Sequence, residues 1–94
     1  MTYLNIGLAL IQFVTLAWNA PEGNVDHYRV YWQPAGLDEA YHYDISDVTS
    51  CRAPLQGPWT RYWVTTIYNG NESEPSNSVR KAVKQVNYTH KDAR

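Results

Sequence analysis

A single cysteine, Cys51, is the only thiol in this 94-residue chain. One thiol cannot close an internal disulfide, and the ligand spacing of a zinc site is absent. A chain of this length is one domain that buries roughly 65% of its extended surface, enough for a core without covalent staples. No stretch carries a sustained helical repeat, and there is no internal repeat or low-complexity linker. Phosphate-cradling glycine loops and dinucleotide fingerprints are missing too. The first twenty residues hold no formally charged side chain. A signal peptide would need a basic n-region and a small-x-small cleavage site. Thr2-Tyr3-Leu4-Asn5 supplies no base, and Trp18 and Asn19 are poor cleavage neighbours. A membrane helix would carry Asn5, Gln12 and Asn19 through or beside hydrocarbon. The segment therefore reads as two strands of the mature protein, with no membrane insertion.

Charge is small in sum and uneven in place. The formal net is -1 with a pI of about 6.2, which gives no overall basic character for nucleic acid. Residues 1–79 hold three arginines against eight acids, a net of -5; residues 80–94 hold five bases against Asp92, a net of +4. An acidic body with a basic tail can pair with the opposite regions of a neighbour. Lys91 and Arg94 are the tail positions expected to do so.

Period-two alternation is the main signal present. Val14, Leu16 and Trp18 fall on one face, and Ala20-Pro21-Glu22-Gly23-Asn24 then turns the chain. Tyr28, Val30 and Trp32 alternate with His27, Arg29 and Tyr31, up to a stop at Gln33-Pro34-Ala35-Gly36. Tyr41 to Ile45 suits a short edge strand, and Val48 to Ala53 another. Tyr62, Val64, Thr66 and Tyr68 alternate with Trp63, Thr65 and Ile67 before Asn69-Gly70-Asn71 reverses direction. Ser76 to Val83 forms the last strand, and residues 85–94 follow residues 1–84 as a polar basic tail. The aromatic and β-branched content favours strands. Short strands at regular spacing, with turn signals between them, predict an all-β sandwich.

From Phe13 to Val83 the chain resembles a fibronectin type III domain. Val14-Thr15-Leu16-Ala17-Trp18-Asn19-Ala20-Pro21 is similar to that family's strand B and turn, and Asp26-His27-Tyr28-Arg29-Val30-Tyr31-Trp32 to its strand C. Leu55 and Tyr62 resemble its leucine and tyrosine-corner pair, in which the tyrosine hydroxyl returns to nearby backbone. The spacing here is one residue longer than the common form, through Gly57-Pro58-Trp59. Gly70-Asn71-Glu72-Ser73-Glu74-Pro75-Ser76-Asn77 is similar to the F–G turn of bacterial and phage members. Val48-Thr49-Ser50-Cys51-Arg52 departs from the family's apolar strand E. The resemblance implies a seven-stranded antiparallel immunoglobulin-like sandwich of the stand-alone bacterial and phage kind.

Candidate chemistry is thin. His27, His42 and His90 share no ligand spacing, and a metal site needs convergent ligands. Asp44 with Asp47, or Glu72 with Glu74, would be the carboxylate pairs of a glycosidase; both pairs read as solvated acids in turns or edge strands. Cys51 has no local base or oxyanion donors and reads as a small buried side chain. Asn71-Glu72-Ser73 and Asn87-Tyr88-Thr89 fit the glycosylation pattern and read as unmodified. No catalytic residue, cofactor or metal is expected.

One surface stands out. With Tyr62 and Val64 inward, Tyr31, Trp63 and Ile67 share the outer face of one sheet, and interfaces are rich in aromatic residues. The leading expectation is a non-enzymatic structural or interaction module. Its context by resemblance is a phage virion, as a capsid decoration, tail or fibre protein that binds neighbouring subunits in multiple copies. Such a protein is made in the host cytoplasm. The alternative is a carbohydrate-binding or spacer module of a secreted bacterial enzyme, stacking sugars on Trp63, Tyr31 and Tyr41. An animal receptor or adhesion fragment is third.

Overall fold

The computed structural model describes residues 12–83. The segment before Phe13 that reads as a first strand, and Lys91 and Arg94 in the tail, lie outside the described residues, apart from Gln12. Seven strands and no helix form among the described residues. They are β1 (Gln12–Ala17), β2 (His27–Pro34), β3 (Tyr41–Ile45), β4 (Ser50–Leu55), β5 (Trp59–Tyr68), β6 (Asn71–Glu72) and β7 (Val79–Ala82). All pairings are antiparallel. β1 and β4 make a two-stranded sheet. The larger sheet runs β3-β2-β5, and β6 and β7 both lie along the far edge of β5.

The period-two pattern decides what faces inward. In the larger sheet Tyr28, Val30, Tyr62 and Val64 point at the smaller sheet, which answers with Ala53 and Leu55; all six are buried. Leu16, Trp18 and Cys51 pack against this core from the partly buried side. Trp18 keeps the inward parity of Val14 and Leu16 but sits at the rim, only partly buried. Its ring meets Tyr28 edge-on at 5.3 Å, and its buried indole N–H has no acceptor among the described residues. β4 starts two residues later than the alternation suggests and continues through Pro54 to Leu55. The proline is tolerated because β4, among the described residues, pairs on one side only, with β1, and so behaves as an edge strand.

Two local devices hold β5 in register. The Tyr62 hydroxyl donates to the Pro54 carbonyl at 2.7 Å, so the expected tyrosine–backbone bond forms despite the longer spacing. The extra length is taken up by a turn in which Gly57 adopts a φ of 65° and the buried Thr60 hydroxyl bonds both backbone groups of Gln56. At the other end Asn69 and Gly70, at φ 52° and 77°, make the tight reversal into β6 that L-residues other than Asn rarely allow. Between β6 and β7 the chain passes Pro75, which has no N–H to donate. On either side of it Ser76 and Ser73 accept from the Val64 and Thr66 amides through their side-chain oxygens, at 3.1 and 2.9 Å, while their own amides donate to the Val64 and Thr66 carbonyls, both at 2.9 Å. The last strand is therefore shorter than the expected 76–83 span, because serine hydroxyls replace part of its ladder.

Candidate functional site

The outer face of the larger sheet gathers its side chains in cross-strand rows. Register places His42, Tyr31 and Trp63 side by side, then Asp44, Arg29 and Thr65, then His27, Ile67 and Glu72. Tyr31 and Trp63 stack nearly parallel, with ring centroids 5.2 Å apart and planes 9° from each other. His42 tilts against the other side of Tyr31 at 5.3 Å. Stacked rings of this kind stabilise by about 0.5–1.5 kcal/mol beyond their buried area. Beneath the row lies a polar network. Glu72 accepts from the Tyr31 hydroxyl and, with the same oxygen, from the Thr65 hydroxyl at 2.7 Å; its second oxygen takes Arg29 Nη1 at 3.3 Å. Arg29 also grips Asp44 with two donors, at 2.7 and 3.3 Å, and His27 Nε2 lies 3.2 Å from the same carboxylate.

Electrostatics follow from this geometry. The Arg29 guanidinium holds the Asp44 carboxyl below its ordinary range. The Tyr31 and Thr65 hydroxyls, with the Arg29 charge behind them, do the same for Glu72. Burial, and then the bond to Glu72, raise the Tyr31 phenol above its usual value. Arg29 is pushed up by its bond to Asp44 and is charged at every accessible pH. Both carboxylates are thus ionised near neutrality, and neither is poised to donate a proton to a substrate. Among the described residues no group of three or more His, Cys, Asp or Glu side chains could hold a metal ion. No helix among them is long and apolar enough to cross a membrane.

The chain matches no protein-family model and no curated protein. Its surface chemistry must therefore be read from its own residues.

Tyr31 and Trp63 meet as the alternation suggests, and both keep part of their surface in solvent. Ile67 lies on the same side of the sheet but is only 7% exposed between His27 and Glu72, so it offers almost no contact surface. Tyr41 does not join them. It pairs with Trp32 across β3 and β2, stacking at 5.5 Å on the opposite side of the sheet, so Tyr31, Trp63 and Tyr41 make no single platform. Arg29, Asp44, Thr65 and Glu72 are the side chains that sequence reading missed. Glu72 and Asp44 read as solvated acids, yet each shares Arg29. Arg29 and Tyr31 have the same parity on one strand, and an acid opposite that parity on a neighbour is the available signal. It needs a register to be used.

Acid should weaken this arrangement. A carboxyl whose folded pKa is depressed contributes stability that is fully present above its unfolded value, about 3.9 for Asp and 4.3 for Glu. That contribution is lost as pH falls through the lower folded value. The urea midpoint should therefore stay level from pH 7 to about 5 and decline below about 4. Asp44→Asn with Glu72→Gln should flatten that decline. An equally steep acid limb in the double variant would show that other carboxylates cause it.

Proposed function

We propose that the chain is a non-enzymatic interaction module with a fibronectin type III sandwich, acting as a phage virion accessory component. In this reading it decorates a capsid, tail or fibre and binds neighbouring protein subunits through the outer face of its larger sheet. The observation that carries the reading is the Tyr31–Trp63 stack, held from below by Glu72. Aromatic side chains fixed before contact lose little freedom on binding, and such residues dominate interface energetics. The fold side is supported by the order β1-β4 facing β3-β2-β5 and by the Tyr62 hydroxyl on the Pro54 carbonyl.

Carbohydrate binding is kept as a second reading on one observation. Trp63 borders a shallow notch with Arg61, Pro75, Ser76 and Ser78, where a sugar could meet an aromatic ring beside hydrogen-bonding groups.

Purified particles from the source separate the two. Quantitative mass spectrometry should find the protein in many copies per particle. The double variant Tyr31→Ala, Trp63→Ala should fold but lose incorporation by about tenfold or more, the scale of an aromatic hot spot. Absence from particles, joined with a glycan-array signal that Trp63→Ala abolishes, would replace the assembly reading with the carbohydrate one.

A further inference from the structure

We infer that Arg61 and Arg80 form a docking point for an acidic segment of a partner protein, one that presents Asp or Glu carboxylates to the outer face of the larger sheet. The inference rests on the reading of that face as an interface and names the chemistry of what it meets.

Arg61 and Arg80 stand directly opposite each other on β5 and β7, and both are exposed. Like charges placed this way repel and weaken a sheet. On its other side Arg61 faces Gln33, and along its own strand the next residues of the same parity are Trp59 and Trp63. None of these carries a negative charge. Among the described residues no carboxylate lies within ion-pair distance of Arg61 or Arg80. Arg29, on the same face, is the opposite case, since Asp44 and Glu72 both bind it. The Tyr31–Trp63 stack therefore separates a neutralised end from an end where two guanidiniums lack a counter-charge.

The segments outside the described range are a poor source of that charge. Residues 1–11 hold no charged side chain, and residues 84–94 hold Lys84, Lys91 and Arg94 against Asp92. Another molecule must bring it, and the arrangement suits carboxylates. Arg80 Cζ lies 4.6 Å over the Trp59 ring, so the guanidinium is held in place before contact. Arg61 borders a notch with Trp63, Ser76 and Ser78. Guanidinium forks match carboxylates two hydrogen bonds at a time, and the indoles beside them can cover the apolar part of a peptide. A long polyanion fits less well. Residues 12–83 carry five bases against eight acids, a net of -3, so charges beyond the arginine pair meet repulsion from an acidic body.

Nuclear magnetic resonance of the full chain, titrated at low salt with a synthetic Glu–Gly repeat peptide, tests this. Shifts should centre on Arg61, Arg80 and the Trp59 and Trp63 indoles, and should vanish with the Gln–Gly peptide. Arg61→Gln should weaken binding about tenfold, the scale of one charged hydrogen-bond partner. Arg52→Gln, on the other sheet, should change little. The urea midpoint of Arg61→Gln should hold or rise, because no internal ion pair is lost. Shifts centred elsewhere, equal losses from both substitutions or a clear fall in that midpoint would overturn the inference. So would tighter binding of polygalacturonate or duplex DNA, or a response seen only after Asp92→Asn, which would assign the site to the chain's own tail. Incorporation into particles that is lost with Tyr31→Ala, Trp63→Ala but kept with Arg61→Gln, Arg80→Gln would remove this inference and leave the interface reading standing. A chain that binds the peptide yet is absent from particles would do the reverse.

Discussion

Tyr28→Ala should cost about 3–5 kcal/mol, the range for truncating a large buried aromatic. Tyr28 is 1% exposed, packs with Val30 and Val64 at the centre of the inter-sheet contact, and carries the edge of Trp18 on its ring. Removing it leaves a void bounded by strands of both sheets, with the β1–β4 pair on one side and β2 and β5 on the other. Domains of this size have about 5–15 kcal/mol of total stability, so the loss is a large share. Trp18→Ala, at the rim, should cost less. Tyr62→Phe, which deletes only the hydroxyl bonded to Pro54, should cost about 0.5–1.5 kcal/mol. Urea unfolding of the three variants checks the order. Tyr28→Ala proving no worse than Tyr62→Phe would place the core elsewhere.

Glu72→Ala is the second change with a large expected effect, although Glu72 stands on a two-residue strand at the sheet edge. Its carboxylate is the acceptor for Thr65, whose side chain is on a residue only 4% exposed. A buried hydroxyl left without its partner costs about 1–3 kcal/mol, and here the Tyr31 hydroxyl and Arg29 lose a partner as well. Asp44→Ala removes a shorter and more regular pair with Arg29, but that carboxylate is 42% exposed. Exposed pairs contribute about 0–1 kcal/mol. The contrast is the test: urea midpoints should fall further for Glu72→Ala than for Asp44→Ala. A double-mutant cycle between Glu72→Ala and Tyr31→Phe should show coupling between the two positions. Additive losses would mean that Tyr31 and Glu72 are merely adjacent.

Strand content and facing were largely legible in the sequence, because they depend on local parity. Tyr41 to Ile45 was bounded correctly as a strand by its turn-forming neighbours, and the inward set Tyr28, Val30, Tyr62 and Val64 followed from alternation alone. What parity cannot supply is register. Knowing that Ile67 faces away from the core does not tell that His27 and Glu72 flank it and leave it 7% exposed. Knowing that Tyr41 is aromatic and at an edge does not tell that it lies beside Trp32, on the opposite side from Trp63. The network around Arg29 was illegible for the same reason, since its acids come from positions 15 and 43 residues away in the chain. The roles of Ser73 and Ser76 were hidden differently: their side-chain oxygens accept from the β5 amides where backbone carbonyls would in a regular ladder, and propensity does not record which acceptor an amide finds.

The strand order also sets the tempo at which this molecule can assemble itself. Among the described strands only the β2–β3 and β5–β6 pairings join neighbours in sequence, and the second of these is a two-residue rung beyond the Asn69–Gly70 reversal. The central ladder must bring Val30 to Val64, and the smaller sheet must bring Val14 to Ala53, before either receives its stabilising contacts. Closing such long loops costs entropy in advance of any reward, which places sandwiches of this kind in the millisecond-to-second class of folders. Until β2 and β5 meet, Tyr28, Val30 and Val64 are uncovered together. The interval before that encounter is when a newly made chain is most exposed to its neighbours.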